Sequence, residues 1–75
     1  MNTLSERLAE LSGKATGGPW QCSQDGTGDL FISGAGGAYI MEIGCPDDDA
    51  AEADAALSVE LVNAYRTGRL IVKED

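Results

Sequence analysis

Histidine is absent from this 75-residue chain, and between Ala15 and Tyr65 there is no lysine or arginine. The first absence removes the usual general base and the commonest mixed metal sites. The second leaves the middle of the chain without any cation. Only two cysteines occur, Cys22 and Cys45, too few for a disulfide scaffold and too far apart for a zinc knuckle. They are expected to be half-buried thiols, since free cysteine is among the most buried residue types. Aromatic residues are 5% of the chain, and no apolar run approaches the roughly 18 residues of a membrane span or resembles a signal-peptide core. These shortages point to one domain over residues 1–75, without membrane association, cytoplasmic and with a thin core. Hydrophobic residues make up 43%, ordinary globular usage, so the chain is expected to fold despite its charge.

What is abundant is carboxylate. The net charge of −8 is unevenly spread: Met1 to Lys14 balances at zero, Ala15 to Tyr65 carries nine acids, and Arg66 to Asp75 is +1. Five of the nine, Asp47, Asp48, Asp49, Glu52 and Asp54, fall within eight residues. Such a field repels nucleic acid and anionic membrane and attracts basic protein surfaces, within a Debye length of about 8 Å in cellular salt.

Thr3-Leu4-Ser5-Glu6 fits a capping box, and Leu4, Leu8 and Leu11 recur at i, i+4 and i+7, so a first helix starts here and is expected to lay its leucines on a sheet. Gly13 is a plausible stop. Thr16-Gly17-Gly18-Pro19 breaks the pattern, and three short strands follow. Trp20 to Ser23 is the first, Leu30 to Ile32 the second and Ala38 to Ile43 the third. Gln24 to Asp29 and Ser33 to Gly37 supply the hairpin turns. Neither turn is a ligand loop by its chemistry. Gly34-Ala35-Gly36-Gly37 lacks the Lys-Ser or Lys-Thr of a phosphate loop, and Asp25 and Asp29 lack the alternating oxygens and final glutamate of a calcium loop.

The acidic stretch after Pro46 opens a second helix that runs to about Thr67 and closes at Gly68. Helical periodicity gathers Ala50, Ala53, Leu57, Leu61 and Ala64 on a face that can lie on the sheet, with Asp48, Asp49, Glu52, Glu60 and Asn63 pointing away. Leu70-Ile71-Val72 suits a short final edge strand or a tail over the core. The expected fold class is α+β: a small domain of order α-β-β-β-α, its antiparallel sheet packed against two helices.

Acids at a helix start cap free amides and oppose the positive end of the dipole, contributing about 0.3–1 kcal/mol each. One or two suffice for that purpose, and like charges at i, i+4 such as Asp48 and Glu52 cost a few tenths of a kcal/mol. The excess therefore suggests a binding face made of Asp47, Asp48, Asp49, Glu52, Asp54 and Glu60, joined by Asp25, Asp29 and Glu42 from the sheet. Four helical residues rise about 6 Å, comparable to the separation of neighbouring phosphates, so carboxylates on a helix and its adjoining turns can imitate a nucleic acid backbone. Arg66, Arg69 and Lys73 favour the helix dipole at its C-terminal end and need no functional role. An enzyme is disfavoured: paired acids need a desolvated cleft, and a Cys45 thiolate beside Asp47 to Asp49 would lack a base and meet like charge. No cofactor or catalytic residue is expected.

Lys14-Ala15-Thr16-Gly17-Gly18-Pro19-Trp20 resembles the Ala-Thr-Pro-Gly-Pro-Trp segment that links a first helix to a sheet in many small phage-encoded proteins, with Gly17 in place of the first proline. Ala53-Asp54-Ala55-Ala56-Leu57 through Leu61-Val62-Asn63-Ala64-Tyr65 is similar to their last helix. The short, acidic, histidine-free chain as a whole resembles the small anti-CRISPR proteins that act as DNA mimics against type I surveillance complexes, type I-C being the favoured subtype. The resemblance implies phage or mobile-element origin, and the chain is expected to be a monomer in the host bacterial cytoplasm. It would bind the basic DNA-binding surface of a host complex, block target DNA and use the acidic positions as contacts. The contrasting expectation is a phage or antitoxin-like adaptor that neutralises a basic partner by hydrophobic docking through Phe31, Ile40 or Val59.

Overall fold

A computed structural model of the chain describes residues 3–45 and 49–73, with the Asp49 side chain outside that description. Helix α1 spans Leu4–Lys14, strands β1, β2 and β3 span Gln21–Gln24, Leu30–Ser33 and Tyr39–Gly44, and helix α2 spans Asp49–Arg66. The class is α+β and the order α-β-β-β-α, as the sequence patterning predicts. Among the described residues no helix is long and apolar enough to cross a membrane.

The ends of α1 and the C-terminal end of α2 fall where local chemistry directs. At the start of α1, the Glu6 amide donates to Thr3 Oγ1 at 3.1 Å and the Thr3 amide donates to Glu6 Oε1 at 3.3 Å, the reciprocal pair of a capping box. Lys14 closes the helix with an ion pair to Glu10 at 3.0 Å. At the end of α2, Gly68 takes φ +78°, its amide donates to the Tyr65 carbonyl, and the Arg69 amide donates to the Ala64 carbonyl. This is a Schellman closure, which a Cβ at position 68 would strain. The chain beyond it, Leu70 to Lys73, forms no strand.

The sheet is an antiparallel meander of order β1-β2-β3, with β2 in the centre. Opposite β2, strand β3 carries two irregularities, since Leu30 pairs with Gly44 while Phe31 pairs with Glu42, and Ile32 pairs with Met41 while Ser33 pairs with Tyr39. Phe31 and Tyr39 stack with ring centroids 5.7 Å apart. Helix α2 lies against all three strands. The buried apolar residues are Leu30 and Ile32 from β2 with Ala51 and Ala55 from α2. Ile32, among the described residues the one large side chain fully out of solvent, stabilises the fold by about 1.5–3 kcal/mol, and the small alanines let α2 approach it closely.

The orientation of α2 differs from the periodicity expectation. Ala51 and Ala55 are buried, with Val59 and Val62 half-buried, whereas Ala50, Ala53, Leu57 and Leu61 stand exposed. The helix has two apolar stripes, and the sheet took the one with smaller side chains. Asn63, expected to point to solvent, instead turns inward. Its Nδ2 donates to the Trp20 carbonyl at 2.9 Å, and its Oδ1 accepts from the Trp20 amide at 2.9 Å. Trp20 lies just before the β1 ladder begins at Gln21, so its peptide groups have no strand partner and the carboxamide replaces one.

Helix α1 also differs in its packing. It contributes no buried residue. What ties it to the rest is Arg66, whose Nε donates to Ser12 Oγ at 3.0 Å, Nη2 to the Ser12 carbonyl at 3.1 Å and Nη1 to the Thr16 carbonyl at 2.9 Å. The same guanidinium lies 5.5 Å from the Trp20 ring centroid, and the indole N–H donates to the Thr16 carbonyl at 2.9 Å. Arg66 thus has a structural role well beyond the dipole term. The Cα radius of gyration, 13.8 Å, exceeds the roughly 11 Å of a compact domain of this length, in keeping with an elongate outline of 43 × 26 × 22 Å.

Candidate functional site

The β1–β2 turn holds the most ordered of the acids. Asp25 Oδ1 accepts from the Thr27 hydroxyl at 2.6 Å, the Thr27 amide at 2.8 Å and the Asp29 amide at 3.1 Å. Its amide in turn donates to the Asp29 carbonyl at 2.9 Å, and Gly28 takes φ +89° to complete the loop. Donation from the Thr27 side chain first, then from the Thr27 amide, holds the Asp25 carboxyl below the usual carboxylate range. This side chain is a turn builder as well as a surface charge.

The meander also brings Glu42 to the same end of the sheet. Carboxylate oxygens of Asp25, Asp29 and Glu42 all lie within 4.8 Å of one another. Asp25 and Glu42 are exposed and Asp29 is half-buried. A hard cation is the ion such a trio could hold, since its donors are all oxygens. These three positions were expected on one binding face, and the hairpin topology does assemble them.

Among the described residues the acids of α2 do not form one patch with each other. Glu52, Asp54 and Glu60 are all exposed. At about 100° per residue, however, Glu52 and Asp54 point to nearly opposite sides of α2, and Glu60 and Asp54 flank the exposed Leu57–Leu61 stripe. Asp47 and Asp48 lie outside the described residues, as does the Asp49 side chain. Among the described residues the only ion pair is Glu10–Lys14, so none of Asp25, Asp29, Glu42, Glu52, Asp54 and Glu60 is neutralised by one. Arg66, the first cation after the anionic span, is turned toward Ser12, Thr16 and Trp20.

Two expectations about other side chains are corrected. Cys22 and Cys45 are free and exposed rather than half-buried: Cys22 lies on the edge strand β1, and Cys45 follows the last residue of β3. Phe31, Ile40 and Val59, expected as exposed docking positions, are half-buried. The most exposed large apolar side chains are others, among them Ile71, Tyr39, Leu57 and Leu4. A groove of about 340 Å³ opens between α1 and the C-terminal half of α2, lined by Leu8, Leu11, Trp20, Leu61, Val62 and Tyr65 among others. The signal for it was present in the sequence, because Ala51, Ala55, Val59 and Val62 form a second apolar stripe at i, i+4, i+8 and i+11. A helix with two such stripes can satisfy only one of them on a single sheet face.

The geometry defines a small α+β domain with an anionic surface and an apolar groove. Comparison with protein families, curated proteins and solved structures finds no match.

Proposed function

We propose that this chain is a non-enzymatic inhibitor whose acidic surface imitates DNA and occupies the basic DNA-binding site of a host nucleic-acid-binding complex, with a type I CRISPR surveillance complex as the target class. One observation carries this reading: the exposed acids of the sheet end and of α2 have no ion-pair partner among the described residues, while Arg66 is drawn inward. The surface therefore offers unpaired negative charge. Carboxylates clustered within 4.8 Å at Asp25, Asp29 and Glu42 approach the charge density of a strand, which carries one phosphate per about 3.4 Å of axis. Lysines and arginines arranged to grip phosphate meet the same charge on a rigid scaffold, and DNA is displaced by competition.

The test is a DNA-binding competition with the purified complex across a salt series. Inhibition should weaken steeply with salt. It should fall at least about fivefold when Asp47, Asp48 and Asp49 are all changed to Asn, and again when Glu42→Gln is combined with Glu52→Gln, since losing two or three charge contacts at about 0.5–1 kcal/mol each amounts to that much. Full inhibition by both variants, with native circular dichroism, would refute the proposal. The α1–α2 groove favours a second reading, an adaptor that docks a basic partner hydrophobically. For that protein, salt would have little effect and substitutions in the groove would outweigh those at the acids.

A further inference from the structure

Helix α1 poses a physical problem. It has 11 residues, contributes nothing to the buried core, and helices below about 12–15 residues are marginal in water even when rich in alanine. Its capping box, its Glu10–Lys14 pair and the Arg66 tie act at its two ends. Its leucine stripe is only partly covered, with Leu8 half-buried but Leu4 56% and Leu11 47% exposed. The outer stripe of α2 is open as well, with Leu57 60% and Leu61 48% exposed. Together with Ala50 and Ala53 these residues leave on the order of 500 Å² of apolar surface, the size of the largest patch on a typical monomer.

The charges beside the two stripes differ in sign. Arg7 lies about 60° around α1 from Leu4 and has no ion pair among the described residues, while Glu6 and Glu10 lie toward the back of that helix. Asp54 and Glu60 lie about 60° to either side of Leu57 on α2, also without an ion pair among the described residues. A stripe edged by a cation and a stripe edged by anions complement each other. Within one chain Leu8 and Leu11 face Leu61 only across the open groove, and Leu4 and Leu57 lie outside it.

We infer that a second copy of this chain covers these stripes, in a symmetric dimer where α1 of each copy lies on the Ala50-Ala53-Leu57-Leu61 stripe of the other. A two-fold axis makes both contacts at once. Each Arg7 then faces Glu60 of the partner. Two patches of this size bury about 1,000 Å², the threshold for a specific interface. The zero net charge of Met1 to Lys14 permits the approach, and the acids of the sheet end stay on the outside. The inference goes beyond the DNA-mimic reading and departs from the monomer expected from the sequence.

Sedimentation equilibrium of the full chain, from about 1 to 500 μM in about 0.15 M salt, should give twice the 7.8 kDa chain mass at the upper end. Leu4→Lys and Leu57→Lys should each return the protein to monomer with native circular dichroism, since both side chains are exposed within one copy. Arg7→Glu and Glu60→Arg should each weaken association at least about fivefold, and the two together should restore it. A monomer throughout the range, or a dimer indifferent to both leucine changes, would overturn the inference. So would a double charge swap that fails to restore association. A monomeric chain that instead binds an amphipathic helix of unrelated sequence through Leu57 would overturn it in favour of a foreign partner.

Discussion

Replacing Asn63 with Ala removes both hydrogen bonds that hold the Trp20 peptide groups, each 2.9 Å long and partly buried. A carboxamide places one donor and one acceptor side by side, and here it serves Trp20 as a neighbouring strand would. Two net hydrogen bonds amount to about 2 kcal/mol, and leaving the Trp20 N–H and C=O poorly solvated raises the expected loss to about 2–3 kcal/mol. A 75-residue chain has roughly 4–11 kcal/mol of stability in all, so the variant should lose a large fraction of it. Urea unfolding followed by Trp20 fluorescence should show the midpoint falling by about 2 M at a slope near 1 kcal/mol/M, and melting should drop by about 10–20 °C. Asn63→Asp is the informative control. It keeps the acceptor for the Trp20 amide but turns a second oxygen toward the Trp20 carbonyl, so it too should destabilise although volume is conserved. A loss under about 0.5 kcal/mol for Asn63→Ala would mean that water satisfies Trp20 equally well, and the clamp would then explain nothing about stability.

Two further predictions concern other parts of the scaffold. Arg66→Lys keeps the charge but cannot reproduce three fixed guanidinium donors or the planar contact with Trp20, so it should cost about 2–3 kcal/mol; amide exchange in α1 should accelerate selectively, and unchanged protection there would rule out Arg66 as its anchor. Asp25 has a lowered folded-state pKa, so its charged form contributes stability that is fully present above the unfolded value near 3.8 and is lost as pH falls through the lower folded value; the stability difference between the protein and Asp25→Asn should shrink across that acid window, and a constant difference from pH 6 to pH 2 would contradict the assignment.

Much of the local structure was legible in the sequence because it is decided within a few residues. The Thr3–Glu6 box, the Gly68 closure, the Asp25 turn and the three-strand meander depend on side chains three or four positions apart or on glycine's access to positive φ. The anionic span of Ala15 to Tyr65 is likewise a property of the sequence, and the hairpins that follow from turn chemistry bring Asp25, Asp29 and Glu42 together. The orientation of α2 was not legible. Periodicity identifies an apolar stripe but cannot choose between two of them, and the closer approach allowed by Ala51 and Ala55 over Ile32 settled the matter only in three dimensions. Nor could local rules reach the Asn63–Trp20 clamp or the Arg66–Ser12 tie, which join positions 43 and 54 residues apart. Composition and local pattern determined the elements and the charge of this protein. Tertiary packing decided which leucines stay outside and which polar groups turn inward, because a single sheet face can bury only one side of a helix.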